Sequence, residues 1–96
     1  IIILKIDPKL YSFKLLSASE HGRKPRTVRQ WGNEFGLVAA INASMYQNEN
    51  FLKSAGYMKN YRHFNNSHIN KKFSSFLVFN PIDSTLPIVQ IIDRRV

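Results

Sequence analysis

Asn42 ends an uninterrupted apolar run, Leu37-Val38-Ala39-Ala40-Ile41, and small residues follow it in Ala43-Ser44. A primary amide where a chain leaves a core can donate and accept hydrogen bonds. It can therefore hold a ligand oxygen or simply cap the turn. Cationic donors stand on both sides of it in sequence, with Arg26 before it and Lys59 and Arg62 after it. Amide and cationic donors together are what a phosphate or other anion needs. Carboxylates are scarce. Of six acidic residues only Glu49 lies close in sequence to Asn42. Asp7 reads as a turn residue, Glu34 as part of a solvent-facing helix surface and Asp83 as part of a loop. The paired carboxylates that glycoside cleavage generally uses are not apparent. His63 and His68 are five residues apart, which suits neither one helix face nor one strand face. With His21 they make no metal-ligand pattern. There is no cysteine, which excludes thiolate sites and disulfides. No nucleophile elbow, Walker loop or dinucleotide fingerprint occurs.

The elements that must position these groups read as follows. Ile1 to Asp7 is a candidate strand ended by Asp7-Pro8, and Tyr11, Phe13 and Leu15 alternate with polar residues as a half-buried second strand. Ser17 to Pro25 is a loop. Thr27 is a good helix N-cap and Gln30 completes a capping box with it. Val28, Trp31 and Phe35 fall on one helical face, and Gly36 suits the left-handed end, so the spacing predicts a helix over 28–35. Trp31 either packs that helix or offers a stacking platform to a sugar. The run 37–41 predicts a central strand with a neighbour on each side, because it shows no polar alternation. Gln47 to Asn50 is a polar turn. Ser54 to Tyr61 reads as a strand with Gly56 inside it, a position that marks a bulge or a close approach. Arg62 to Lys72 is polar. Phe76 to Phe79 is another buried strand closed by Asn80-Pro81, Asp83 to Pro87 is a loop, and Ile88 to Asp93 is a last strand. The expectation is an α+β fold, with a mixed, largely antiparallel sheet of about six strands and one short helix.

The order Arg-Thr-Val, short helix, Gly-Leu-Val-Ala-Ala-Ile-Asn-Ala-x-Met-Tyr, then Gly56 in a new strand, resembles the N-terminal part of the phosphodiester glycosidase family. That family includes the N-acetylglucosamine-1-phosphodiester α-N-acetylglucosaminidases and bacterial exopolysaccharide-related proteins. The resemblance runs from about Tyr11 to Asp93, and Leu86 to Asp93 also looks like a segment of bacterial members. It implies a hydrolase acting on sugar-1-phosphodiester bonds, with Asn42 and Glu49 as catalytic candidates. Arg26, Tyr46, Gly56, Lys59 and Arg62 are the substrate-binding candidates. The implied ligand is a phosphosugar or an acidic polysaccharide and the implied location is outside the cytoplasm; no metal-ligating residues are assigned, and the cofactor is left open. Ser44 stands where family members usually carry Gly, which bears on the local backbone shape. The family's acidic Asp-Gly-Gly motif comes late in the domain, and no Gly follows Gly56 here. The chain therefore reads as the N-terminal part of a longer domain, inactive until joined to the C-terminal part.

Ninety-six residues make at most one domain. An apolar content of 44%, with seven Phe, four Tyr and one Trp, argues for a folded chain. No apolar run approaches the ~20 residues that cross a bilayer. Fourteen Lys and Arg against six Asp and Glu leave a formal charge of +8, spread along the chain rather than gathered in a basic arm. The one stretch that interleaves rings and cations is Tyr57-Met58-Lys59-Asn60-Tyr61-Arg62-His63-Phe64. In strand alternation Tyr57, Lys59, Tyr61 and His63 share a face, where the rings either pack inward or stack nucleobases. A small basic domain that binds nucleic acid or another polyanion without catalysis is the alternative function. Asn42-Ala43-Ser44 and Asn65-Asn66-Ser67 match the glycosylation sequon. The first match is expected to be fortuitous at a buried strand end.

Overall fold

The computed structural model describes residues 1–95. Its contacts divide the chain into two compact units, one of Leu15–Lys71 and one of Ile1–Lys14 with the segment from Lys72 onward. The class is α+β: one helix and four strands, paired antiparallel in two separate two-stranded sheets. That corrects the expected single sheet of about six strands.

In the unit Leu15–Lys71, α1 spans Val28–Phe35, as its signals predict. The Thr27 Oγ1 accepts from the Gln30 N–H at 3.1 Å, and the Gln30 Oε1 accepts from the Thr27 N–H at 2.8 Å. Two of the otherwise orphaned donors of the first turn are thereby satisfied reciprocally. Gly36 ends the helix at φ 62, a conformation that costs glycine nothing. The apolar side of α1 holds Trp31 and Phe35, whose rings stack at 5.6 Å, and His21 from the preceding loop meets both edge-on. Trp31 thus packs its own helix, although it remains half-buried.

Strands β1 (Met58–Asn60) and β2 (His63–Asn66) form a hairpin through the two-residue turn Tyr61-Arg62. Tyr61 takes φ 53, as the first position of a tight hairpin turn requires. The strand expected over 54–61 is therefore confined to its last third, and Gly56 precedes it. The segment read as merely polar, 62–72, supplies β2. The register slips between Met58, opposite Asn66, and Lys59, opposite Phe64. Asn65 is left over between those pairs, which is the geometry of a bulge that turns a side chain out of the ladder.

In the other unit, β3 (Ser75–Phe79) pairs with β4 (Val89–Asp93) in continuous register from Ser75 opposite Asp93 to Phe79 opposite Val89. Both strands were expected, but Phe76 to Phe79 is not the buried strand its apolar run suggested, because Leu77 is 61% exposed and none of β3 is buried. Asn80 closes β3 at φ 56, donates its N–H to the Ile88 carbonyl and holds the Phe13 carbonyl through Nδ2 at 2.9 Å. The Phe13 ring meets Phe79 at 5.9 Å.

The remaining predicted strands are absent. Ile1 to Asp7 forms no strand and is exposed throughout, and Tyr11 to Leu15 pairs with nothing as a strand. Leu37 to Ile41 is likewise no strand, with Val38 and Ile41 each 86% exposed. An apolar run becomes a central strand only when neighbouring strands satisfy its backbone and cover its faces. Among the described residues no strand does so. No apolar side chain of the described residues is buried, and the two buried polar or charged residues are Ser54 and Asn66. No helix among the described residues is long and apolar enough to cross a membrane.

Candidate functional site

The unit Leu15–Lys71 is held at its centre by a polar hub. The loop from Met45 to Ala55 folds back on itself: Tyr46 bridges Ser54, the Ala55 N–H reaches the Met45 carbonyl at 2.7 Å and the Gln47 N–H reaches the Lys53 carbonyl at 2.9 Å. The bulged hairpin then clamps that loop. The Asn65 Oδ1 accepts from the Ser54 N–H at 2.7 Å, while its Nδ2 donates to the Leu52 carbonyl and to Ser19 Oγ. Asn66 Nδ2 and Gln47 Nε2 both donate to the Ser54 carbonyl, and the Asn66 Oδ1 accepts from the His68 N–H. The Ser54 hydroxyl donates to Ser44 Oγ at 2.9 Å and accepts from the Gly56 N–H at 3.2 Å. Buried polar groups are tolerated only when paired in this way, and every fully enclosed side-chain N or O of the described residues has a partner.

Arg26 apart, the substrate and catalytic candidates fall into three groups, and only the first contacts the hub. Tyr46 and Gly56 belong to it directly, Tyr46 through its bridge to Ser54 and Gly56 through its bonded amide. Gly56 is buried, and the Tyr46 side chain is 66% exposed. Lys59 and Arg62 stand exposed on the hairpin, Lys59 with its ammonium 4.8 Å from the centre of the Phe64 ring. Asn42 and Glu49 are exposed and make no side-chain hydrogen bond among the described residues. Asn42 precedes the hub residue Ser44 by two positions, so its placement as an accessible amide follows from the anchored loop. Its exposure corrects the expected buried strand end.

Arg26 is the exception. Its Nε and Nη2 grip the Glu34 carboxylate at 2.7 and 3.2 Å, its Nη1 donates to the carbonyls of His21 and Lys24, and its guanidinium lies 4.5 Å over Trp31. Four of its five N–H donors are spent on its own neighbourhood. The residue expected to hold substrate is a staple between the 17–25 loop and α1, and Glu34, expected only to face solvent, is its counter-ion. An open cleft of about 410 Å³ is lined there by Lys24, Arg26, Gln30, Asn33 and Glu34. None of the other candidates lines it.

No family model matches the chain, and neither do the curated proteins or the solved structures.

The hub answers the question raised by Ser44. A glycine is required where φ is positive, and Ser44 is not among the residues with positive φ, which are Arg23, Tyr61 and Asn80 besides two glycines. Its hydroxyl is used instead, accepting from Ser54 and donating to the Met45 carbonyl. The hub members Ser19, Ser54, Asn65 and Asn66 escaped sequence reading. The signal in retrospect was the density of Asn and Ser across 44–70, which marks backbone-bonding side chains but does not say which backbone they bond. Asn65 is also excluded as a glycan acceptor in this conformation, because both hydrogens of its amide are engaged. Ser19 Oγ lies 2.8 Å from His63 Nε2, the separation of a nucleophile and its base. Asn65 donates to the same oxygen and Ser17 Oγ lies 3.2 Å from it, so the hydroxyl is shared within the hub. Among the described residues no three His, Asp or Glu side chains converge on a metal position.

Proposed function

We propose that this chain is the N-terminal portion of a phosphodiester glycosidase-like hydrolase of the exported type, acting on a sugar-1-phosphodiester and inactive by itself. The observation that carries the reading is the uncovered run 37–41. Five consecutive apolar residues lead straight to an accessible Asn42, with Val38 and Ile41 each 86% exposed. An apolar segment of that kind wants two neighbouring strands, and a C-terminal part of the same domain would supply them. The chemistry points the same way. Cleavage breaks the bond between the anomeric carbon and a phosphate oxygen, the electron pair leaves with the phosphate, and water delivers hydroxide to the carbon and a proton to solvent or base. Asn42, Lys59 and Arg62 are donors suited to the departing phosphate. Glu49 offers one carboxylate to the developing positive charge, and its partner must come from elsewhere in the domain.

The test is Asn42→Ala in a longer chain that continues past Val96, assayed for turnover of a phosphodiester-linked N-acetylglucosamine beside a thermal melt. Turnover is expected to fall about a hundredfold, the loss typical of one preorganised donor, with the melt little changed. Normal turnover with a lowered melting temperature would assign Asn42 to the turn and refute its catalytic role.

A further inference from the structure

The hub brings together a serine and a histidine that stand 44 residues apart in sequence. Ser19 Oγ lies 2.8 Å from His63 Nε2, and both residues are half-buried. Backbone chemistry decides where the Ser19 proton goes. The Ser54 N–H can only donate and the Leu52 carbonyl can only accept, so Asn65 must turn its Oδ1 to the first and its Nδ2 to the second. The other Nδ2 hydrogen reaches Ser19 Oγ at 2.9 Å, and the hydroxyl accepts there. Its own proton is left for His63 Nε2, the nearer of its remaining neighbours, in the tautomer that carries the ring hydrogen on Nδ1. Ser17 Oγ, at 3.2 Å, is the longest of the three contacts. Ala18 and Ser19 are the middle residues of a turn closed by the Glu20 N–H on the Ser17 carbonyl at 3.1 Å. Their own amides bond to nothing among the described residues, which leaves two consecutive donors in the turn that carries the hydroxyl.

We propose that Ser19 and His63 form a second reactive centre, a nucleophile and its general base for the hydrolysis of small neutral carboxylic esters. The partners of Ser19 Oγ are a hydroxyl, an amide and an imidazole, with no Lys, Arg, Asp or Glu among them. Such a set suits a neutral acyl group, whereas a phosphate calls for cationic donors. The Ser19 proton passes to His63 Nε2 while Oγ bonds to the carbonyl carbon, and the carbonyl oxygen takes the negative charge with the Ala18 and Ser19 amides as its donors. Collapse breaks the bond to the alcohol oxygen, which leaves with the proton from His63. Water then attacks the acyl-serine by the same route and releases the acid and the free hydroxyl. Asn65 touches none of the reacting carbon atoms and positions the Ser19 oxygen.

The test uses the 96-residue chain with p-nitrophenyl acetate, whose hydrolysis is read from the released p-nitrophenolate. His63→Gln keeps a polar side chain of similar reach that cannot act as a base. It is expected to lower hydrolysis roughly a hundredfold, a contribution typical of a general base, with the thermal melt unchanged. A second measurement needs no variant. A fluorophosphonate, which exchanges its fluoride for a reactive serine oxygen, is expected to leave a covalent adduct on Ser19 of the wild-type chain, located by peptide mass spectrometry. No adduct on Ser19, or hydrolysis unchanged in a folded His63→Gln, would overturn the proposal and leave Ser19 a hub residue only. The ester contains no sugar and no phosphodiester, so neither result depends on the glycosidase reading.

Discussion

Two adjacent segments of the unit Leu15–Lys71 show opposite relations between sequence and structure. Thr27 to Gly36 forms as its residues dictate, and Leu37 to Ile41, joined directly to it, does not form the strand its residues suggest. The helix closes on itself: its cap partners are three residues apart, its end is fixed by one glycine, and its rings meet within two turns. The apolar run has no local means of satisfying its backbone or covering its side chains. Its strand character is a demand on distant residues, and in the chain as described that demand goes unmet. Local signals settle local structure, while a central strand is a property of its neighbours.

The largest expected effect sharpens this contrast. Ile41→Asp should change the stability of the 96-residue chain by less than about 0.5 kcal/mol, since the side chain is already in water. In a longer chain where 37–41 is covered, the same substitution should cost more than about 3 kcal/mol. Denaturant midpoints of the four proteins check both halves.

The hub gives the next effect. Asn66→Ala removes one of the two side-chain donors to the Ser54 carbonyl and the acceptor of the His68 N–H, at a site 3% exposed. A loss of about 2 kcal/mol is expected from two hydrogen bonds at about 1 kcal/mol each, again read from the denaturant midpoint. An unchanged midpoint would mean that water replaces the amide and that the hub does not hold the unit.

The helix gives a smaller one. Thr27→Ala should cost about 1 kcal/mol through the lost bond from the Gln30 N–H to the Thr27 hydroxyl, and Gly36→Ala a comparable amount because of its positive φ. If both leave the midpoint unchanged, α1 is not the self-contained element described.

The smallest effect is electrostatic and lies in the other unit. The Arg95 guanidinium and its backbone N–H hold the Asp93 carboxyl below its ordinary value, so its charged form is favoured in the fold. A depressed carboxyl stabilises the fold above its unfolded pKa and loses that contribution as pH falls through the folded one. An NMR titration should place the Asp93 midpoint below that of an ordinary aspartate, and Arg95→Ala should return it toward the ordinary value. The Thr85 hydroxyl and backbone N–H lower Asp83 in the same sense, and Thr85→Ala should raise it.

The helix with both caps, the existence of β3 and β4 as strands, and the loop between them were legible because each rests on patterns a few residues long; that the two strands pair with each other came only with the structure. The hub was not. Its bonds join Ser19 to Asn65 and Ser54 to Asn66 across long loops, and a bulge, invisible in periodicity, decides which Asn faces inward. The partners of Arg26 were hidden for a related reason. A cation in front of a helix looks available to ligand until Glu34, two turns on, is seen to occupy it. Asn42 was identified as a donor from its position after the run, and its accessibility came only with the structure.

The measurement that bears most directly on the central claim is amide hydrogen exchange across Val38 to Ile41, compared between the 96-residue chain and a longer chain continuing past Val96. The account predicts exchange near the unprotected rate in the shorter chain and strong protection in the longer one, where the run becomes a paired central strand leading to Asn42. Equal, fast exchange in both would contradict it, for the run would then have no strand partners to wait for.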